Sequence, residues 1–187
     1  VIPTETDIDR LKACSRYVVK ERFGAGSRSL GLNLNREAAI LHAKDLTHPI
    51  FQPYIEGKEY SIDVYIDQAG ECRGAVVRSR DLVKHGESQV TSVALHPGLE
   101  RLGMELVKAM ELVGHSVLQV LVDGQGYPHI VECNNRFGGA SSFSVEVGLD
   151  SFYWFLLEAS GSSLRDYPFL RRTNIRMMVR HPHDAFF

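Results

Sequence analysis

The stretch HIVECNNRFGG, residues 129–139, joins an apolar strand to residue types that bind metal ions and phosphate. Side chains alternate between the two faces of a strand, so Glu132 and Asn134 share one face, with Arg136 one step further, while Val131 and Cys133 point to the other. Same-face neighbours lie about 7 Å apart. A carboxylate and an amide oxygen at that spacing can ligate Mg²⁺, and an adjacent arginine can hold a phosphoryl group. A polar strand end that runs into a surface loop is the alternative.

A glycine-rich turn, FGAGSRS, is a second candidate for phosphate binding. Its tip consists of Gly24, Ala25, Gly26 and Ser27. Small residues let backbone amides close on phosphate oxygens, and Lys20 at the base of the turn would add a point charge. The spacing fits neither the P-loop nor the dinucleotide fingerprint. A plain hairpin turn between two strands is the alternative.

Short strands must position these residues. Alternation over residues 60–66 predicts a strand with Tyr60, Ile62, Val64 and Ile66 on one face, followed by a turn and a returning strand over residues 72–79. A loop that carries Arg80 follows that strand. The runs SVLQVLVD and HIVECN predict two further strands, paired as a hairpin around a GQGYP turn. Shorter strands are predicted near residues 17–20, 30–34 and 49–55, and a last one over residues 174–180.

Helical spacing appears in four places. The first helix starts near the N-terminus, with Thr4 or Thr6 as its cap, and the second covers residues 36–46. Residues 97–113 form an amphipathic helix whose apolar side includes Met110 and Val113, and another helix ends at Gly161. This order of elements indicates an α+β protein with a small unit, residues 1–54, and a larger one, residues 55–187.

Composition excludes several classes of protein. The chain has 187 residues, 44% of them hydrophobic, and a formal net charge of -2, which predicts no nucleic-acid partner. No apolar stretch approaches the ~20 residues that a membrane span needs, so we expect a cytoplasmic protein without a membrane partner. The three cysteines, Cys14, Cys72 and Cys133, have neither disulfide-framework nor zinc-site spacing.

Three motifs together carry more information than each alone. VVKERFGAGSRS, FQPYIEGKEYSID and LQVLVDGQGYPHIVECNNRFGG occur in this order and span most of the chain. They resemble the ATP-grasp superfamily, and more closely the ATP-grasp domain of the carbamoyl-phosphate synthase large chain. The resemblance implies that residues 1–54 form a small lid subdomain. It implies that residues 55–187 form a larger catalytic platform on an antiparallel sheet, with ATP bound between the two.

The resemblance assigns nucleotide contacts to the first two motifs. It implies that Lys20 and residues 24–27 contact the phosphates of ATP. Gln52 is placed at the adenine amino group, where it would accept a hydrogen bond. Backbone atoms of Pro53 and Ile55 would help to hold the ring.

Acidic and amide residues complete the implied site. Glu59 matches the acid that binds the ribose hydroxyls, with the neighbouring Glu56 as a competitor that we expect to face solvent. Glu132 and Asn134 match Mg²⁺ ligands, and Gln119 occupies the position of the third ligand.

Arginines are implied on the reacting groups. Arg136 matches the arginine near the γ-phosphate and the acyl phosphate. Arg78 and Arg80 lie where relatives hold an anionic substrate, and surface charges that favour solubility are the alternative.

Asp123 belongs to a DGQG turn and is expected to be structural. His129 is expected on the strand face opposite Glu132.

The implied activity is an ATP- and Mg²⁺-dependent ligase, with Mn²⁺ as an alternative ion. A small-molecule carboxylate would be activated as an acyl phosphate and attacked by an amine or ammonia. Full-length relatives carry a further N-terminal domain, so the chain would be a fragment or would work with a partner subunit, and a homodimer stays open. An ATP-binding module without catalysis and a small-molecule kinase are the alternatives.

Overall fold

The computed structural model describes residues 2–11, 14–23, 29–84 and 86–181, whose strands form two antiparallel sheets. The strands are β1 (Tyr17–Glu21), β2 (Gly31–Leu34), β3 (Pro49–Pro53), β4 (Gly57–Ile66), β5 (Cys72–Lys84), β6 (Glu87–Val93), β7 (Gly114–Asp123), β8 (Pro128–Asn134) and β9 (Met177–Val179). The helices are α1 (Arg36–Ala43), α2 (Pro97–Ala109), α3 (Ser141–Glu146) and α4 (Ser151–Ala159). The predicted α+β class is confirmed.

The smaller sheet has the strand order β2-β1-β3 and packs against α1. Tyr17 and Val19, which share one face of β1, form its core together with Phe51 of β3. The predicted division after residue 54 falls in the segment between β3 and β4. That the first part moves as a lid over the second stays a prediction.

The larger sheet has the strand order β8-β7-β4-β5-β6-β9 and packs helices on both faces. On one face Ile62, Val64 and Ile66 pack against α2, as the alternation predicted. On the other face Tyr65 packs with Trp154 of α4, at the far end of β4. The near end of that second face carries polar side chains instead.

Among the described residues no helix is long and apolar enough to cross a membrane, and all three cysteines are unpaired.

The predicted N-terminal helix is wrong in extent and in its cap. Only a 3₁₀ turn forms over Ile8–Arg10, with Asp7 as its cap. Glu5 makes two backbone hydrogen bonds with Phe51 of β3, and this pairing keeps the chain before the turn extended. The hydroxyl of Thr4 donates to the carbonyl of Ile2 instead of capping a helix.

Helix α2 ends earlier than its apolar pattern predicted. The amide of Glu111 donates to the carbonyl of Lys108, and the amide of Leu112 donates to that of Val107. Glu111 takes a left-handed conformation with φ 54°, so the two bonds form a Schellman motif that closes the helix. Met110 and Val113, predicted on its buried side, are therefore exposed.

Strand β6 and helix α3 were not predicted. Strand β5 continues through Arg80 to Lys84 and pairs with β6, so the loop predicted after residue 79 is a strand. Helix α3 was also missed, because its six residues are too few to show a helical period.

Gly103 on α2 allows the helix to approach β4 closely. A Cβ atom there would lie 2.7 Å from Cγ2 of Ile62 and 3.3 Å from Cγ2 of Val64, and both side chains are fully buried. We expect Gly103→Ala to lower the free energy of unfolding by about 1–3 kcal/mol, because the core would be overpacked. Urea unfolding followed by circular dichroism measures this.

Gly98→Ala on the same helix is the matched control. Its added Cβ would come no nearer than 3.6 Å to the His96 ring. Alanine has the better helix propensity, so this variant should equal the parent or exceed it by up to about 1 kcal/mol. Equal losses in the two variants would contradict the close packing of α2 on β4.

Candidate active site

A row of polar residues crosses the large sheet on the face opposite α2. Directly paired positions place Glu132 of β8 beside Gln119 of β7, Ser61 of β4 and Arg78 of β5. Paired residues of neighbouring antiparallel strands point to the same face. The row therefore joins two predicted metal ligands to a predicted substrate-binding arginine.

The predicted metal ligands meet on the β7–β8 pair. Nδ2 of Asn134 donates a hydrogen bond to Oε1 of Glu132 at 2.8 Å, and Gln119 is the cross-strand partner of Glu132. Arg136 lies just beyond, with Nη2 3.5 Å from Oδ1 of Asn134. Its Nη1 donates to the carbonyl of Phe137 at 3.1 Å. The structure thus brings Gln119, Glu132, Asn134 and Arg136 together.

Glu59 and Arg80 lie beside this row and form an ion pair. Nε of Arg80 is 2.8 Å from Oε1 of Glu59, and the arginine side chain is only 7% exposed. Its Nη2 donates to the carbonyl of Gly86 at 3.0 Å. Burial raises the pKa of the Glu59 carboxyl above its usual range; Arg80 opposes the rise, and the charge of Glu132 adds to it. The charge of Glu132 therefore acts on the carboxyl of Glu59.

Arg78, at the β5 end of the row, is buried. It is 2% exposed, and its Nε donates to Oδ2 of Asp63 at 2.7 Å. Its Nη1 has no hydrogen-bond partner within the described part of the chain. Burial of both Arg78 and Arg80 excludes the alternative that they are surface charges for solubility.

The predicted nucleotide contacts of the small sheet lie on one of its faces. Val19 and Phe51 point into the core with α1, so Lys20 and Gln52 point to the opposite face. Nε2 of Gln52 donates to Oγ1 of Thr4 at 2.7 Å, which uses the donor end of the amide. The predicted contact with the adenine amino group requires the other end of this amide, its acceptor oxygen.

The remaining predicted nucleotide contacts are partly described. Pro53 ends β3, and Ile55 lies half-buried in the segment before β4, while Glu56 is exposed as expected. Residues 24–27 lie outside the described residues, so their predicted phosphate contacts stay a prediction.

Asp123 has the structural role that the turn predicted. Its Oδ1 accepts hydrogen bonds from the amides of Gln125 and Tyr127, both at 2.9 Å. Its Oδ2 lies 2.7 Å from Nε2 of His129. The hydrogen bond from His129 and those from the turn amides hold the pKa of the Asp123 carboxyl below its usual range.

The face predicted for His129 is wrong, because β8 contains a β-bulge. Gln119 pairs with Glu132, but the next residue of β7 pairs with Ile130, so Val131 is an extra residue. The extra residue shifts the alternation by one. His129 and Glu132 therefore lie on the same face, while Ile130 and Cys133 both pack towards the core.

Comparisons with known proteins assign the family. The family described as "ATP-grasp in the biosynthetic pathway with Ter operon" matches residues 45–181, well over half of the chain. The chain belongs to this ATP-grasp family. No curated protein matches the chain.

Solved structures share the ATP-grasp fold. The biotin carboxylase domain of 2-oxoglutarate carboxylase from Hydrogenobacter thermophilus, in complex with MgADP, ADP and bicarbonate, is 19% identical with a TM-score of 0.68, covering 86% of this chain and 39% of that one. N5-carboxyaminoimidazole synthetase from Staphylococcus aureus, complexed with ADP, is 19% identical with a TM-score of 0.71, over 88% and 48%. An L-amino acid ligase from Bacillus licheniformis is 18% identical with a TM-score of 0.60, over 84% and 42%. The ATP-grasp chain spans less than half the length of each.

The donor set of this ATP-grasp chain suits a cation that keeps water and phosphate ligands. Glu132 supplies one carboxylate, and Gln119 and Asn134 supply amide oxygens; all three are oxygen donors of the kind that Mg²⁺ prefers. No group of three or more His, Cys, Asp or Glu residues able to hold a metal occurs in the described ranges. One carboxylate beside two amides would leave coordination positions for water and for nucleotide phosphates.

Sequence reasoning missed a buried polar cluster beneath the site. Its members are Asp63, His115, Ser141 and Ser151, each less than 5% exposed. Asp63 follows Glu59 and Ser61 at two-residue steps in an otherwise apolar strand. An acid at such a position requires buried partners, and that signal was available in the sequence.

Proposed function

We propose that this chain is the nucleotide-binding and catalytic part of a ligase that uses ATP and Mg²⁺ to activate a carboxylate as an acyl phosphate. An amine-type nucleophile then displaces the phosphate, as in carbamoyl-phosphate synthase. One observation carries the proposal: Gln119, Glu132 and Asn134 meet on the β7–β8 pair with Arg136 beside them. The known structures of the fold support it, since two of them hold ADP and one also holds magnesium and bicarbonate.

The charge of each described side chain decides which part of ATP it would bind. Lys20 and Arg136 are the cations that would neutralise phosphate oxygens, and Glu59 is the acceptor for ribose hydroxyls. Mg²⁺ held by Glu132 and its amide neighbours would neutralise phosphate charge and orient the γ-phosphate. No side-chain nucleophile is needed, because positioning and charge neutralisation dominate phosphoryl transfer.

The reaction balances in two steps. A carboxylate oxygen of the substrate attacks the γ-phosphorus, the bond to the β,γ-bridging oxygen breaks, and ADP leaves. The nitrogen of the nucleophile then attacks the acyl carbon, phosphate leaves, and the nitrogen loses a proton.

Hydroxylamine trapping tests this proposal. With MgATP, hydroxylamine and a panel of carboxylates that includes bicarbonate and amino acids, we expect ADP and phosphate, with a hydroxamate formed in equal amount where the acid is organic. Formation of AMP and pyrophosphate would contradict acyl-phosphate chemistry. A stable phosphorylated product would favour a kinase, and nucleotide binding without turnover on any acid would favour a binding module.

Arg136→Ala should lower the rate of ADP formation by at least about 100-fold, since one donor to developing charge is lost. Arg101→Ala is the matched control, because Arg101 is an exposed arginine on α2, on the opposite side of the sheet. The assay follows ADP release at saturating MgATP. A similar rate in both variants would remove Arg136 from the proposed site.

A further inference from the structure

A closed network of buried polar side chains lies beneath the loop that connects β8 to α3. The carboxylate of Asp63 is completely buried and accepts hydrogen bonds on both oxygens. Oδ2 accepts from Nε of Arg78 at 2.7 Å, and Oδ1 accepts from the hydroxyl of Ser141 at 2.6 Å. Nε2 of His115 lies 3.1 Å from the same Oδ1. A buried charge persists only with partners of this kind.

The network reaches the loop backbone through Ser141. While its hydroxyl donates to Asp63, its Oγ accepts a hydrogen bond from the amide of Gly138 at 2.9 Å. Gly138 is two residues beyond Arg136 in the chain. One fixed charge in the sheet therefore holds the loop through two consecutive hydrogen bonds.

A ring stack holds Phe137, which lies between Arg136 and Gly138 in the chain. The ring of Phe137 stacks on that of His115, with centroids 4.6 Å apart, and on that of Phe152 at 3.9 Å. Nδ1 of His115 lies 3.0 Å from Oγ of Ser151, the first residue of α4. An Nε2–H tautomer of His115 satisfies both contacts, since it donates to Asp63 and accepts from the Ser151 hydroxyl. The histidine is thus fixed by the sheet and by α4 together.

Arg136 itself has only local contacts among those described. Its side chain reaches the carbonyl of Phe137 and, at 3.5 Å, Oδ1 of Asn134. An exposed arginine with such contacts keeps most of its rotamer freedom, so the position of its backbone decides which points the guanidinium can reach. That backbone is held by the two residues that follow it.

We propose that Asp63, Ser141, His115 and Phe137 are positioning residues, which hold the loop so that the guanidinium of Arg136 faces the γ-phosphate of bound ATP. The proposal rests on the proposed function, in which Arg136 binds that phosphate. A network with a merely structural role would affect all nucleotides equally or none. A positioning network affects only nucleotides that carry the γ-phosphate.

Two nucleotides measure the difference. Calorimetric titration in Mg²⁺ gives the dissociation constants of ADP and of a non-hydrolysable ATP analogue. The ratio of the ADP constant to the analogue constant reports the contribution of the γ-phosphate. We expect Ser141→Ala to reduce this ratio by about fivefold or more, as for coupled neighbours. The dissociation constant of ADP should stay within about twofold of that of the parent.

Ser144→Ala is the matched control. Ser144 lies on the same helix, is equally buried, and its hydroxyl has no hydrogen-bond partner in the described part of the chain. This variant should keep the parental ratio. Phe137→Leu is a second test that leaves the Asp63 hydrogen bonds in place, and it should reduce the ratio as Ser141→Ala does.

The Arg136→Ala background separates positioning from other effects. If the network acts through Arg136, adding Ser141→Ala to Arg136→Ala should not reduce the ratio further. An unchanged ratio in both Ser141→Ala and Phe137→Leu, or an equal loss of affinity for ADP and for the analogue, would overturn this inference but not the proposed function. A drop of the ratio on adding Ser141→Ala to Arg136→Ala, as large as in the parent, would do the same. A parent that binds neither nucleotide would refute the proposed function and this inference with it.

Discussion

Glu132→Ala should abolish the part of nucleotide binding that depends on magnesium. Glu132 is the only carboxylate among the three predicted ligands, and its neighbours Gln119 and Asn134 carry no charge to replace it. Loss of groups that only support a metal ligand costs about 10- to 100-fold in affinity, so loss of this ligand should cost at least about 100-fold. Calorimetric titration of a non-hydrolysable ATP analogue, with and without Mg²⁺, measures the effect.

The magnesium-free titration is an internal control. Without the ion, Glu132→Ala should bind the analogue at least as well as the parent, because a negative charge near the phosphates is gone. Glu105→Ala, an exposed glutamate on α2, should behave as the parent in both conditions. Magnesium-dependent binding that survives in Glu132→Ala would place the ion elsewhere.

Asp63→Asn should cause a large loss of stability. The variant leaves Arg78, whose side chain is only 3% exposed, without its counter-charge. Removal of one partner from a buried pair costs about 3–5 kcal/mol. We expect a fall of that size in the free energy of unfolding, measured by urea at neutral pH.

An exposed ion pair provides the contrast. Arg172 and Glu146 are 53% and 66% exposed and 3.6 Å apart, so Glu146→Gln should cost less than about 1 kcal/mol. Adding Arg78→Met to Asp63→Asn removes the unpaired charge and should restore part of the loss. A cost for Asp63→Asn no larger than that for Glu146→Gln would show that the buried pair adds nothing.

The buried pair also predicts a dependence on pH. Burial alone would raise the pKa of the Asp63 carboxyl, but Arg78 and the hydrogen bonds from His115 and Ser141 hold it well below its usual range. A carboxyl with a lowered pKa stabilises the fold above its unfolded pKa of about 3.9, and this contribution is lost as the pH falls through the folded value. The parent should therefore lose stability in acid more steeply than Asp63→Asn.

Elements with a clear period were predictable from the sequence, and so was part of the arrangement of the candidate site. Alternation placed Glu132 and Asn134 on one face, because this follows from strand geometry alone. The family resemblance supplied Gln119, and its position opposite Glu132 depends on the bulge at Val131, which no pattern in the sequence marks. Contacts distant in the sequence were not predictable. The pairing of Glu5 with Phe51 prevented the N-terminal helix, and the partners of Asp63 come from three other elements.

Local exceptions to the period account for two further errors. The left-handed Glu111 ends α2 although the apolar spacing continues, and the extra Val131 reverses the face of His129. Neither residue type favours such a conformation by itself, so no propensity marks the position.

The same extra residue has a consequence for how the sheet ends. Strand β8 is one edge of the large sheet, and the bulge at Val131 interrupts its ladder of outward hydrogen-bonding groups. The other edge within the described residues is β9, which spans only Met177–Val179. Bulged and short edge strands are poor templates for the addition of another chain's strand. Both edges of the large sheet within the described residues are therefore protected against extension and against edge-to-edge aggregation.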